Sequence, residues 1–420
     1  MDLAGLVNIE PIPLLLVEDN RMYADILRNV LPTLDDDLRF DCQWVDTAEK
    51  ALKEIQAHQY QLVLLDYKLP GADGLTVLSH IRQLPTDKQP VVIMLTGMGG
   101  EQVAVQALKA GARDYLSKDN FDAASLMRAI TGALTQRRLE EQVARTAAEL
   151  RQKNFQMVAD LKLASEIQQA FLPQTYPSFP PGVPVEQSAM RFHPRYRPTG
   201  AVGGDYFDVF ALSDTAAGVF ICDVMGHGVR AALVTAMLRA LVEDLAPSSA
   251  QCPGKFLTGI NHGLMAALRH TPVPMFASAF YLIADAGTGQ MRYASAGHPR
   301  PFHLRRDAGA VEPLASADGA ACPALGVFED WEYATGKGSL AARDVVLLFT
   351  DGLFEVEGAN DEHFGPDRLL EAVTRRVHIP AGRLLDDLLQ EILQYSVRQQ
   401  FSDDVCLVGV EMTRIIPPTP

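Results

Sequence analysis

Five residues able to do chemistry stand at the ends of apolar runs in the first third of the chain. Glu18 and Asp19 follow LLLV (14–17), Asp66 closes LVLLD (62–66), Thr96 closes VVIMLT (91–96) and Lys118 closes DYLSK (114–118). Three carboxylates in one pocket repel each other unless a hard cation neutralises them, and Mg²⁺ suits such a pocket because it uses few carboxylates and keeps its waters. A lysine and a threonine beside them could hold oxygens of a phosphoryl group carried on an aspartate nucleophile. A second set lies in the C-terminal half: PTGAVGGDYFD (198–208), CDVMGHG (222–228), ASAGHPRP (294–301), LLFTDGLFE (347–355) and FSDDVCLV (401–408). Four of these put an Asp at the end of an apolar run or against a glycine, where the backbone can bend sharply. Asp205, Asp223, Asp351 and Asp403 or Asp404 form a set with no basic residue beside them in sequence. Such a cluster is expected to bind two Mg²⁺ or Mn²⁺ ions, which at about 3.5–4 Å separation can activate a water and clamp a phosphoryl group for in-line attack. His227 is a candidate for a part in this chemistry, whereas His298 is expected to shape a turn.

The elements that must position these residues fall into three regions. Over 12–120, the apolar runs and FDCQWV (40–45) alternate with amphipathic segments at 22–31, 47–57, 74–84 and 101–110, and a fifth helix is expected from Asp122. That alternation predicts a doubly wound parallel sheet, in which ligands bind beyond the carboxyl ends of the strands. The first set of residues then converges. Residues 122–172 contain no proline, and a weak heptad seam runs through Val143, Ala147, Leu150, Asn154, Met157, Leu161, Ala164, Gln168 and Phe171. It reads as a dimeric coiled-coil or signalling helix, with a helix packed on its own domain as the alternative. Proline-rich PQTYPSFPPGVP (173–184) marks a boundary. Over 185–413, strand-like runs and helices near 228–245, 254–269, 366–377 and 381–399 do not strictly alternate, so an antiparallel α+β layered domain is expected.

Composition narrows the function classes. The 420 residues carry a formal net charge of -15, with 48% hydrophobic and 21% charged residues. That is ordinary globular chemistry, and the acidic balance weighs against nucleic acid or an anionic membrane as the main partner. No apolar run approaches the roughly 20 residues needed to span a bilayer. No basic n-region opens the chain, and the five scattered cysteines include no CxxC, so a cytoplasmic protein with reduced thiols is expected.

The first region resembles the receiver domain of two-component response regulators. VEDN matches the acidic pair, LLDYKLPGADG the phosphoacceptor loop, MLTG the switch threonine, and DYLSKD supplies Tyr115 and Lys118. The resemblance implies that Asp66 is phosphorylated by a cognate histidine kinase. It also implies that Glu18, Asp19, Asp66 and the backbone carbonyl of Lys68 hold Mg²⁺, and that Thr96 and Tyr115 form the switch pair with Lys118 on the phosphoryl group. The second set resembles the metal-dependent Ser/Thr phosphatase (PPM) family in its bacterial sporulation and stress-response branch, with IQQAFLP (167–173) similar to that branch's entry motif. An αββα sandwich with a binuclear Mn²⁺ or Mg²⁺ site is implied. Asp205 and Asp223 would lie on one side, with a backbone carbonyl from Gly204 or the Met225–Gly226 region, and Asp351 and Asp403 on the other. Asp403 is preferred to Asp404 as the first of a paired acid. Departures from the family pattern are Met225, Arg230 and Cys406.

The expected organisation is a receiver over 12–135, a helical linker over 136–172, a phosphatase domain over 173–413 and a loose tail over 414–420. The implied substrate is a phosphorylated anti-sigma-factor antagonist of STAS type, acted on by a homodimer. A noncatalytic adaptor that binds a sigma factor through a phosphatase-like domain is the rival class. A DNA-binding regulator lacks a helix-turn-helix here. A cyclic-dinucleotide synthase, suggested by GGDYF, leaves DVMGHG, TDGLFE and FSDD without a role.

Overall fold

A computed structural model describes residues 10–34, 38–97, 101–119, 121–271, 273–315, 317, 322–359 and 362–417. Two compact units meet in sequence between Asn154 and Phe155.

In the first unit, β1 (Ile12–Val17), β2 (Phe40–Val45), β3 (Leu62–Asp66), β4 (Val91–Thr96) and β5 (Asp114–Ser117) form a parallel sheet in the order β2-β1-β3-β4-β5. Every residue of β3 and β4 is buried, as expected of strands covered on both faces. Side chains alternate between two cores. Leu14, Leu16, Leu62, Leu64, Ile93 and Leu95 pack with α1 (Arg21–Val30) and the start of α5 (Ala123–Phe171). Leu15, Val17, Val63, Leu65, Val92 and Met94 pack with α2 (Ala48–Ala57), α3 (Gly74–Gln83) and α4 (Glu101–Ala110). Asn20, Thr47 and Asp73 each cap the following helix by accepting its first amides, which fixes where the strand-end loops turn.

Helix α5 runs for 49 residues, so the receiver's last helix and the linker expected from 136 are one element. Its first turns bury Leu126, Ile130 and Leu134, whereas Val143, Leu150 and Met157 are exposed.

In the second unit, β6 (Met190–Arg197), β7 (Asp205–Ala211), β8 (Ala216–Val224), β9 (Ala277–Asp285), β10 (Gln290–Ala296), β11 (Phe302–Arg305), β12 (Ala310–Pro313), β13 (Gly336–Ser339), β14 (Val345–Phe349) and β15 (Val405–Met412) form two antiparallel sheets. Their orders are β13-β10-β9-β8-β7 and β12-β11-β14-β15-β6. Phe207, Val219, Ile221, Phe280 and Leu282 from one sheet meet Val346, Leu348, Val408 and Val410 from the other. Helices α6 (Val229–Ser249) and α7 (Pro253–Leu268) cover the first sheet's outer face, and α8 (Gly365–Thr374) and α9 (Ala381–Tyr395) cover the second's. This four-layer αββα arrangement answers the expectation of a sandwich.

The tail differs from expectation. Ile416 donates its amide to Ala286 and packs on the inter-sheet core, so the chain is held past 414; residues 418–420 lie outside the described residues.

Candidate active sites

At the carboxyl end of the first unit's sheet, the strand-end residues converge. Glu18, Asp19 and Asp66 bring three carboxylate oxygens within 4.8 Å of one another. Lys118 Nζ lies 2.6 Å from Glu18 Oε2 and 2.8 Å from Asp66 Oδ2. Glu18 and Asp66 are buried and Asp19 is exposed, so the pocket opens on one side. Burial raises both buried carboxyls above their ordinary range, and Lys118 opposes the rise. The Lys68 amide donates to the Asp66 carboxylate. Gly74 is required here, since a Cβ on it would lie 2.4 Å from the Asp66 carbonyl oxygen. Thr96 is buried at the end of β4, with its hydroxyl 3.5 Å from the Leu116 carbonyl, and Tyr115 is exposed. Three carboxylates and one ammonium thus meet at the strand ends.

The second site lies at one end of the two sheets. Asp205 and Asp223 are register partners on β7 and β8. Asp351 follows β14, and Asp403 and Asp404 precede β15, which pairs with β14. Gly352 makes this crossing possible, since a Cβ there would lie 2.0 Å from the Asp404 carbonyl oxygen. Gly204 does the same on the other side, where a Cβ would meet the Val224 and Gly226 carbonyl oxygens at 2.7 and 3.1 Å. Gly226 and Gly228 bracket His227 at φ 83° and 85°, a conformation that glycine adopts without strain.

Burial, then the charges of Asp351, Asp403 and Asp404, push the Asp223 carboxyl up to about 7. Burial and Asp223 push Asp205 well above its ordinary value, and burial and Asp403 raise Asp351. Carboxylates that raise one another in this way are a donor set in want of cations. One buried atom makes the same point: Asp205 Oδ1 has no hydrogen-bond partner, while its Oδ2 accepts from the Thr350 hydroxyl at 2.8 Å. The residues therefore fit divalent ions. The group is looser than the first pocket, which alone among the described residues brings three ligand atoms within 4.8 Å.

The neighbouring acids divide by environment. Asp404 is buried and accepts the Thr199 amide at 2.7 Å and the Gly204 amide at 2.6 Å, so both its oxygens are occupied. Asp403 is exposed and accepts the Asp404 amide on Oδ1. Met225 and His227 are exposed at the rim. His298, expected to shape a turn, lies inside the domain. It is buried, its Nδ1 sits 2.9 Å from Ser278 Oγ, and Ser278 is the register partner of Asp223. Burial holds its imidazole down to about 3, hence neutral.

Tyr196 lies outside every quoted motif, whereas Gln168 and Thr350 stand inside IQQAFLP and LLFTDGLFE without a contact assigned to them there. Gln168 donates to the Gly203 carbonyl at 2.6 Å and accepts the Gly203 amide at 2.9 Å. The Arg239 guanidinium carbon lies over the Phe171 ring, 4.9 Å from the ring centroid. Thus the last members of the heptad seam pack within the second unit. The Tyr196 hydroxyl is buried beside Gly203 without a partner.

Comparison with known families fits this geometry. Residues 14–131 match the response regulator receiver domain, and residues 213–413 match the stage II sporulation protein E (SpoIIE) family. The chain carries a receiver domain followed by a domain that matches the SpoIIE family. The SpoIIE match contains Asp223, Asp351 and Asp403 and stops short of Asp205. Phosphoserine phosphatase RsbP of Bacillus subtilis is 24% identical over 60% of this chain and 58% of its own length. Phosphoserine phosphatase RsbU of the same organism is 24% identical over 60% of this chain and 69% of its own. Protein IcfG of Synechocystis is 24% identical, and the chain spans 41% of it. The SiaA-PP2C domain of Pseudomonas aeruginosa shares the fold, with a TM-score of 0.52 and 21% identity over 62% of this chain and 98% of that one. Among the described residues, no helix is long and apolar enough to cross a membrane.

Proposed function

We propose that this chain is a response regulator whose output is metal-dependent removal of phosphate from phosphoserine or phosphothreonine on a protein. The observation that carries the reading is the convergence of Asp205, Asp223, Asp351 and Asp403, with a buried, unpartnered carboxylate oxygen on Asp205. Asp205 and Asp223 would hold one ion and Asp351 and Asp403 the other. Asp404 ties the Thr199 and Gly204 amides, and Gly204 and Gly226 let the backbone approach closely. Two Mn²⁺ or Mg²⁺ ions, when bound, would neutralise the cluster and activate a water for attack on phosphorus.

In the receiver, Asp66 is the phosphoacceptor in this reading, served by a histidine kinase. Glu18, Asp19 and the Lys68 carbonyl would complete a Mg²⁺ site. Lys118 would pair with the phosphoryl oxygens, and Thr96 and Tyr115 would respond to them. The proposed substrate is a phosphorylated anti-sigma-factor antagonist, in line with the branch that RsbU and RsbP represent. Exposed Val143, Leu150 and Met157 support a homodimer through α5, in the cytoplasm.

The test is hydrolysis of p-nitrophenyl phosphate and of a phosphoserine protein with Mn²⁺. Chelation should abolish it, and Asp351→Asn should lower it by about 100-fold or more. A folded, Mn²⁺-loaded protein that hydrolyses neither compound would favour the noncatalytic adaptor.

A further inference from the structure

We propose that Thr350 is a positioning residue whose hydroxyl fixes the rotation of the Asp205 carboxylate and so turns Oδ1 toward the divalent-ion site. The inference rests on the phosphatase reading given above and assigns a role to a side chain that reading does not use.

Thr350 is fully buried directly after β14. Its backbone amide donates to the Cys406 carbonyl at 3.0 Å, and the Cys406 amide donates to Thr350 Oγ1 at 2.9 Å. The residue is thereby held at both ends by β15. With one lone pair of Oγ1 taken by that amide, the hydroxyl proton has two acceptors. The Cys406 carbonyl lies 3.5 Å away and Asp205 Oδ2 lies 2.8 Å away. The shorter bond wins, and it is charge-assisted once Asp205 is ionised. Asp205 belongs to the other sheet, so this bond ties the two sheets together across the floor of the site. The clamp occupies Oδ2 and leaves Oδ1 buried and unpartnered, an arrangement with a high cost unless a cation meets that oxygen. The next residue, Asp351, is itself a proposed ligand, so one Thr-Asp pair supplies both a ligand and the hydroxyl that aims a second one. Groups that orient metal-binding side chains in this way typically contribute 10–100-fold, on the order of that range, to affinity.

The experiment is Mn²⁺ titration by calorimetry on the full chain, in an Asp19→Asn background that disables the receiver pocket. Thr350→Val keeps the β-branched shape and removes the donor. Thr350→Ser keeps the donor, and Thr350→Ala guards against misfolding from the valine. Thr350→Val and Thr350→Ala should weaken the tighter Mn²⁺ by about 10–100-fold, and Thr350→Ser by no more than about threefold. Adding Thr350→Val to Asp205→Asn should cost little beyond Asp205→Asn alone, because both act through one contact. A purely structural threonine would instead lower the melting temperature of the metal-free protein and leave Mn²⁺ affinity unchanged. That outcome overturns the proposal while the phosphatase reading stands. Absence of Mn²⁺ binding in the background protein overturns both.

Discussion

At the scale of single residues, the second site is a set of carboxylates whose ionisation works against folding until cations arrive. Asp223 is held up to about 7, Asp205 well above its ordinary value, and Asp351 and Asp404 are raised in the same sense. In the unfolded chain each titrates near 3.9, on the order of an unperturbed Asp. Between about pH 4 and 7, therefore, the folded state binds more protons than the unfolded state, and stability falls as pH rises. Glu18 and Asp66 in the receiver are raised too and act in the same direction. The metal-free protein should melt at a lower temperature at pH 8 than at pH 5. Saturating Mn²⁺ should remove or reverse that slope, since the ion binds the deprotonated form. Asp223→Asn should flatten the metal-free slope. Calorimetric melting across this range decides it, and a metal-free melting temperature that rises steadily with pH would be incompatible with the crowding of these acids. The motif sequences made the four aspartates legible because each stands beside a glycine or a strand end. They did not reveal Thr350, because its partner Asp205 is 145 positions away and nothing local marks the contact.

At the scale of elements, α5 ends inside the site's own scaffold. Gln168 makes two hydrogen bonds to Gly203 and one to Thr235, so the helix terminus grips the residue before Gly204, whose amide in turn holds Asp404. Gln168→Leu keeps a helix-compatible side chain and removes all three bonds. It should raise hydrogen exchange at the Gly203 and Gly204 amides by about tenfold or more, matching a net loss on the order of 1–2 kcal/mol. Phosphatase activity should fall with it. Unchanged exchange at those amides would mean that the helix end does not support the glycine loop. The sequence signals were strongest for the unbroken apolar runs of β3 and β4 and for the helical apolar period of α9. They were weak for β6, MRFHPRYR, whose outward His193 and Arg195 meet Glu411 and Asp386 instead of apolar neighbours. They were also weak for β13, GKGS, where Cβ atoms at Gly336 and Gly338 would collide with Tyr293 and Met291. In both strands a tertiary partner, not local propensity, sets the choice of residue.

At the scale of the whole molecule, the question is whether phosphorylation of Asp66 alters the second site. A phosphoryl group on Asp66 would add about 1.5 to 2 negative charges beside Lys118 and Glu18, a change of the kind that biases a two-state segment. Such a bias needs a physical route, and the 49-residue helix that begins in the receiver and ends at Gln168 and Phe171 offers one. The exposed stripe Val143, Leu150 and Met157 along it offers another, through association of two copies. The two routes differ in what they move. A helix that shifts within one chain changes the phosphatase rate at constant mass. Association changes mass first, and makes the rate depend on protein concentration. Rate and mass should therefore be measured together, with and without beryllofluoride or a small-molecule phosphodonor, over a range of concentrations. Phosphorylation is expected to change the rate by about tenfold, the size of a typical coupling of 1–3 kcal/mol, and Asp66→Ala should abolish the response while retaining the basal rate. A donor that leaves rate and mass untouched in the native chain would uncouple the domains. A response that survives in Asp66→Ala would place the control elsewhere.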